Sequence, residues 1–463
     1  MSDETGKGRN PVRNVVRNIY KDTTLKHLYP QRYRAACGNP VISGRVVFLE
    51  IREKNLSDNF RLIRAALERR NNSNQSGTGG GHIKYELITI CIREGIENRM
   101  TVAKNCIEAI PVLAQAQFIF INESSYFFSS LPIRPETTVI QTWHACGAFK
   151  RFGYSAVGKG FGTSRQDLDR YPVHRNFDYV TVSSPEVTWA YAEAFHMEEM
   201  EERILPIGVS RTDMFFNRRF REKAYGKTAW VLRRMAPHLF LKNTPDQAAS
   251  AHGKDAYTRL GDYYSDTVKE TSQTDSASAV PGKKIILYAP TFRGTVAHAC
   301  APDRLDLVRM KQELRKDYIL LINHHPFIKK KDRPAIPESC RDFAFDVTEQ
   351  LSIEELLTAA DICITDYSSL VFEYSLFERP VVFFAYDIKE YMDERGFYYP
   401  LEEMMPGPIC SRTQEVTDIL TDPQKLMDLA RVRNFKYRFM SACDGHATAR
   451  VLKLMDRCEG ARS

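Results

Sequence analysis

The chain has 463 residues, 43% hydrophobic, 27% charged and 11% aromatic, with 65 Lys and Arg against 58 Asp and Glu. At about 150 residues per domain that means two or three domains, each able to bury its own core, and it excludes a disordered or collagen-like chain. A net charge of +7 is too mild for a nucleic-acid partner, and no apolar run approaches the roughly 20 residues of a membrane span.

Residues 1–36 open the chain without a signal-peptide pattern, so a cytoplasmic protein is expected. Up to position 34 they hold eight Lys and Arg against three acids. Val15, Val16, Ile19 and Tyr20 interleave with Arg13 and Arg17, so 12–20 reads as a short basic amphipathic helix. Such a segment can rest on an anionic bilayer or simply remain a solvated tail.

Strand-like runs follow at 46–51 (VVFLEI), 85–93, 118–122, 139–143 and 177–183, with helices at 59–69 and 186–196 and a Gly/Ser/Asn loop at 71–81. Short β-branched runs alternating with helices indicate a parallel sheet covered on both faces. From 229 to 282 the pattern becomes polar and Ser/Thr/Ala-rich and reads as an insertion. The alternation restarts with strands at 284–289, 318–323, 343–347, 362–365 and 381–385, helices between them, and a helical stretch at 424–454. The expected fold class is α/β, with two Rossmann-like halves at 37–228 and 283–463 facing a central cleft.

Four strand ends carry chemistry. DICITDYSSLVFE at 361–373 runs from a strand through Ser368 and Ser369 into a helix, with Glu373 one turn on. Hydroxyls and free N–H groups at a helix start suit an anion, and a plain N-cap fits equally well. INHHPF at 322–327 places His324 and His325 at a strand C-terminus, where one imidazole can face a ligand; His325, beside the proline, is favoured. TWHACGAFKRFG at 142–153 ends a strand of the first half in His144. YAPTFRG at 288–294 offers Arg293 to a phosphate. The turn GVSRTD at 208–213 adds Arg211 and Asp213 without a distinct role.

No dinucleotide fingerprint, Walker loop or zinc-protease motif occurs. Asp167 and Asp169 spell a DxD in a polar stretch, away from any strand end, and read as surface. The ten cysteines include no CxxC pair and read as reduced thiols, so neither a metal nor a cofactor is expected.

Together these segments resemble the CDP-glycerol glycerophosphotransferase family, the teichoic-acid primases and polymerases. The similarity runs from about 46 to 412 and is densest over 360–409, with Pro406-Gly407-Pro408 near its end. The resemblance implies a GT-B type fold. It also implies transfer of glycerol phosphate or ribitol phosphate from CDP-glycerol or CDP-ribitol to a polyol-phosphate or undecaprenyl-linked acceptor, releasing CMP, at the inner face of the cell membrane. By position, His144 resembles the catalytic base and His325 the second catalytic histidine. Ser368 and Ser369 look like pyrophosphate ligands, Arg293 a weaker donor-phosphate ligand, and Glu373 the ribose-binding carboxylate. The sequence departs from the family at Ala145-Cys146-Gly147, where many members have Gly directly after His, and at Glu373, where Asp is common. Two other readings stay open: a sugar glycosyltransferase of the same architecture, and a nucleotide-binding protein without turnover.

Overall fold

The computed structural model describes residues 18–75, 84–159, 162–240, 279–280, 282–294, 299–302, 304–426 and 429–461. Two six-stranded parallel sheets form two lobes. The first holds β1 (Arg45–Glu50), β2 (Glu86–Cys91), β3 (Phe118–Ile121), β4 (Thr138–Gln141), β5 (Tyr179–Thr181) and β6 (Ile204–Leu205), in the order β2-β1-β3-β4-β5-β6. The second holds β7 (Lys284–Tyr288), β8 (Tyr318–Ile322), β9 (Ala344–Asp346), β10 (Ile362–Thr365), β11 (Val381–Phe384) and β12 (Ile409–Cys410), in the order β12-β11-β10-β7-β8-β9.

Parallel strands joined by helices must be covered on both faces, which selects apolar side chains along the middle of each strand. Val46, Val47, Phe48 and Leu49 of β1 are accordingly all fully buried, as are Ile286 and Leu287 of β7. Strand order reverses between β1 and β3 in the first lobe and between β7 and β10 in the second. At such a switch point the connecting loops part and leave a crevice beyond the strand C-termini. The two crevices face one another, giving two Rossmann-like lobes across a cleft.

Several boundaries differ from the sequence reading: the helix expected at 59–69 runs over Asp58–Gln75, into the stretch read as a loop at 71–81. The segment from 229 onward begins inside a helix, Arg218–Met235, whose Ala224, Thr228, Val231 and Leu232 are buried. That narrow apolar stripe is hidden in the sequence by the Arg and Lys residues around it. Residues 241–278, the body of the expected insertion, lie outside the described residues. The stretch 424–454 divides into helices Pro423–Leu426, Ala430–Phe439 and Ala447–Gly460.

The last of these leaves the second half and packs on the first sheet. Its Val451, Leu452, Leu454 and Met455 join Val46, Phe48, Phe60, Phe118 and Phe120 in one apolar cluster. Asp213 fixes its start, accepting hydrogen bonds from the Ala447 and Thr448 N–H groups at 3.0 and 2.7 Å. The helix has no side-chain cap of its own. A carboxylate from the other end of the fold therefore satisfies two orphan donors and complements the helix dipole.

Residues 12–17 of the expected amphipathic helix lie outside the described residues. The rest of the basic segment is folded into the first lobe. Helix Tyr29–Ala36 buries Tyr29 and Tyr33, and Asp22 binds Lys26 and Arg170 at 2.8 and 2.5 Å. Among the described residues no helix is long and apolar enough to cross a membrane. Replacing Asp213 by Ala should remove the cap of the final helix and lower stability by about 1–2 kcal/mol, read as a drop in thermal midpoint. An unchanged midpoint would show that apolar burial alone seats this helix.

Candidate active site

His144 is aimed by a strained turn at the end of β4. Trp143 takes φ +55°, a region that bulky residues rarely enter and that costs on the order of 1–3 kcal/mol. Packing over-determines it: the indole lies 5.0 Å from the Phe152 ring and 5.3 Å from Phe195. The Trp143 backbone N–H donates to the Gln141 side-chain oxygen at 2.8 Å.

The turn throws the His144 ring into the cleft, with 44% of the side chain exposed there. Nδ1 lies 3.2 Å from the Asn122 carbonyl oxygen, which can only accept. The proton therefore sits on Nδ1, and Nε2 keeps its lone pair. Asn122 is itself fixed, donating to buried Glu50 at 3.1 Å and to the Ser57 hydroxyl at 3.0 Å. These residues come from the ends of β1 and β3, the switch point of the first sheet. The Glu123 carboxylate stands 3.7 Å from Nδ1. Although the ring edge meets solvent, desolvation between the lobes lowers the His144 pKa below the ordinary imidazole value; Arg211 and Arg52 lower it further, while Glu123 and the Asn122 carbonyl oppose them.

The second lobe supplies the opposite wall. His325, at the end of β8, accepts the Phe327 N–H on Nδ1 at 3.2 Å, which leaves its proton on Nε2. Its ring lies 4.7 Å from Phe292 and 4.8 Å from Phe327, and burial beside these rings, with Lys150 adding repulsion, pushes its pKa down to about 4. His324 also lines the cleft; it is almost wholly buried and its Nδ1 has no partner.

Past β10, Asp366 is consumed in holding the loop after β7. It accepts from the Thr291 N–H at 2.8 Å and from the Tyr367 N–H at 2.7 Å. The chain then turns through Ser368 and Ser369 into the short helix Leu370–Ser375, and the Ser369 side chain makes no capping bond. Glu373 is buried on that helix. It forms an ion pair with Arg211 of the first lobe, while its Oε2 is buried without a partner.

One cavity of about 420 Å³ is lined by His144, His325, Ser368, Ser369 and Glu373 together. That volume is ordinary for a small-molecule site. Arg293 does not line it. Its guanidinium is bound to Asp387 at 2.5 and 3.0 Å and to Asp366 at 2.9 Å, beneath the Tyr367 and Tyr391 rings. Two carboxylates already neutralise its charge, so the expectation that it offers a cation to a phosphate does not match its surroundings. Asp167 and Asp169 sit on helix Arg165–Arg170, with Asp169 paired to Arg165 at 3.0 Å. Two charged lining residues carry no role in the sequence reading: Arg211, from the noted GVSRTD turn, and Glu354, on the first turn of helix Ile353–Ala359.

The family model described as CDP-Glycerol:Poly(glycerophosphate) glycerophosphotransferase matches residues 31–230 and 259–456. The chain belongs to this family. Within it, a teichoic acid ribitol-phosphate primase of Bacillus spizizenii is 33% identical over 417 residues, 89% of this chain and 90% of its own length. A teichoic acid poly(ribitol-phosphate) polymerase of the same organism is 29% identical over 97% of this chain, which spans 61% of that longer protein. Among solved structures, a variant of the wall teichoic acid polymerase TagF is similar over 97% of both chains, with 25% identity and a TM-score of 0.64. The likeness extends over both lobes and establishes the GT-B type fold.

If His144 acts as a base, the direction of its pKa shift sets a pH limb. A base must be neutral to accept a proton, and a lowered pKa keeps it neutral further into acid. Activity should therefore hold below pH 6.5 and fall only as pH drops through the His144 pKa. NMR titration of the ring protons should place His325 near 4 and His144 below the free-imidazole value. A His144 resonance titrating above 7 would contradict the stated environment.

Proposed function

We propose that this chain transfers a polyol phosphate from a CDP-polyol to an acceptor hydroxyl, releasing CMP, with His144 as the general base. The observation that carries the reading is the meeting of His144 from one lobe with His325, Ser368 and Ser369 from the other around a single cavity. The family to which the chain belongs is a CDP-polyol phosphotransferase family, and the site chemistry fits that reaction step by step.

Nε2 of His144 takes the acceptor proton as the oxygen attacks the phosphorus that bears the polyol. The new O–P bond forms in line with the breaking P–O bond, whose electron pair leaves with CMP. His325 faces this from the second lobe with Nε2–H outward, so it donates to a phosphate oxygen or to the departing CMP. Ser368 and Ser369 donate hydroxyls to the diphosphate. The free Oε2 of Glu373 accepts from the ribose. Holding acceptor and donor in line accounts for much of the rate, and the base adds roughly 10²–10⁴-fold.

Three relatives aligned over 89–97% of this chain are named as ribitol-phosphate enzymes, and one of them, of which the chain spans 90%, is a primase. Priming with ribitol phosphate from CDP-ribitol, onto a polyol-phosphate or lipid-linked acceptor of teichoic acid, is therefore the favoured substrate reading. Incubating the protein with CDP-ribitol, CDP-glycerol and nucleotide sugars, with mass measurement of the products, tests it. CMP release from both CDP-polyols at equal efficiency would remove the preference, and turnover of a nucleotide sugar alone would establish the glycosyltransferase alternative.

Replacing His144 by Ala should reduce CMP release by at least 100-fold while donor binding, followed by calorimetry, persists. Wild-type turnover would remove His144 from the chemistry.

A lipid-linked acceptor would place the enzyme on the inner membrane face, and the positive charge at the start of the chain suits an anionic surface. Residues 18–36 are packed into the first lobe, so the test removes 1–17 alone, with Lys7, Arg9, Arg13 and Arg17. The truncated protein should lose co-sedimentation with anionic vesicles and keep CMP release toward a soluble acceptor. Equal co-sedimentation would place the membrane contact elsewhere.

A further inference from the structure

We propose that Arg211, contributed by the first lobe, is the cation that binds the donor diphosphate, and that Glu373 holds it in place for that purpose. The inference rests on the CDP-polyol reading of the cleft and goes beyond it in naming how the phosphate charge is met.

A CDP-polyol brings two negative charges into the cavity. Both catalytic imidazoles have lowered pKa values, so neither is positive near pH 7. The serines offer only dipoles. Among the described residues that line the cavity, Arg211 is the one side chain with a fixed positive charge. The nearby cations lie outside that lining: Arg293 is bound by Asp366 and Asp387, and the Lys150 ammonium sits 5.1 Å over the Tyr391 ring.

The arrangement around Arg211 suits a ligand rather than a closed structural pair. Glu373 binds the Nη2 end of the guanidinium, while Nε is buried without a partner and the opposite carboxylate oxygen is likewise unpaired. A guanidinium has five N–H donors, so one carboxylate oxygen leaves most of its capacity unused. The backbone beneath it is fixed. Thr212 donates its hydroxyl to the Val209 carbonyl at 2.7 Å, and Asp213 caps the final helix. Arg211 is thus a planar donor fork held on a rigid turn, the form best matched to phosphate oxygens.

Two probes separate this role from a merely structural one. Inorganic pyrophosphate has no ribose, so it reports on the phosphate subsite alone. Arg211→Gln should weaken binding of both CDP-ribitol and pyrophosphate about 10- to 100-fold, the size of lost charge-assisted hydrogen bonds. Glu373→Gln should do the reverse for pyrophosphate, because it frees Arg211 from its counter-charge. A purely structural pair would lose binding in both variants. Arg211→Lys keeps charge without the fork and should fall between Arg211→Gln and wild type.

Should Arg211→Gln fail to fold, the double variant Arg211→Gln/Glu373→Gln removes the pair without leaving a buried lone charge, and its pyrophosphate affinity is compared with Glu373→Gln alone. Equal affinity in those two proteins, or wild-type affinity in folded Arg211→Gln, overturns the proposal. If the wild-type protein binds no CDP-polyol, the functional reading itself falls. If it binds and turns over donor while the Arg211 variants bind normally, this inference alone fails.

Discussion

Phosphoryl transfer needs its base and its leaving group on opposite sides of one phosphorus, and that demand fixes the distance between the two lobes. The seam that sets this distance runs directly beneath the site. Gly147, three residues after His144, takes φ +63° and lies so close to the second lobe that an added Cβ would fall 2.2 Å from the Phe372 ring. Its N–H donates to the Ser183 hydroxyl at 3.0 Å, which in turn donates to the Phe439 carbonyl at 2.7 Å. The Arg211–Glu373 ion pair closes the same seam within the cleft. Phe372 and Glu373 are adjacent, so one short helix both packs the interface and lines the cavity. Interface and active site are here the same physical object.

Within that frame desolvation favours the neutral form of both imidazoles, and their backbone contacts give them opposite tautomers. The Asn122 carbonyl holds a proton on Nδ1 of His144 and leaves Nε2 as an acceptor. The Phe327 N–H occupies Nδ1 of His325 and leaves Nε2–H as a donor. A general base must receive a proton, and a ligand of phosphate must offer one. On the proposed reading, backbone groups assign these two roles before any substrate is present, and the lowered pKa values keep acid from blurring them.

Much of this was legible in the sequence, and where it was not the reason is physical. Runs such as ICIT and YILLI must be buried on both faces, so apolar continuity located β8 and β10 within a residue. Two-residue strands such as Ile204–Leu205 have no such run and left no signal. His144, His325, Ser368, Ser369 and Glu373 were found because a doubly wound sheet delivers strand-end residues to a cleft whatever the intervening sequence. The final helix shows a clear apolar stripe, but a stripe does not name the sheet it will cover. That choice depends on Asp213 and on the apolar face around Phe60, both distant in the chain.

The two arginines show the same boundary from the side of charge. Arg293 stands in a strand-end loop beside the donor motif and reads as a phosphate ligand; Arg211 stands in a turn to which the sequence assigns no distinct role. Folding reverses their standing. Arg293 meets two carboxylates that arrive from the ends of β10 and β11, and with its charge spent it becomes a strut under the Tyr367 and Tyr391 rings. Arg211 meets one carboxylate oxygen and keeps donors in reserve at the cavity wall. A guanidinium's function is set by the number of carboxylates that reach it, a quantity determined by which strand ends the sheet order brings together. The loop motif names the residue type, and the topology decides whether its charge remains available to a ligand.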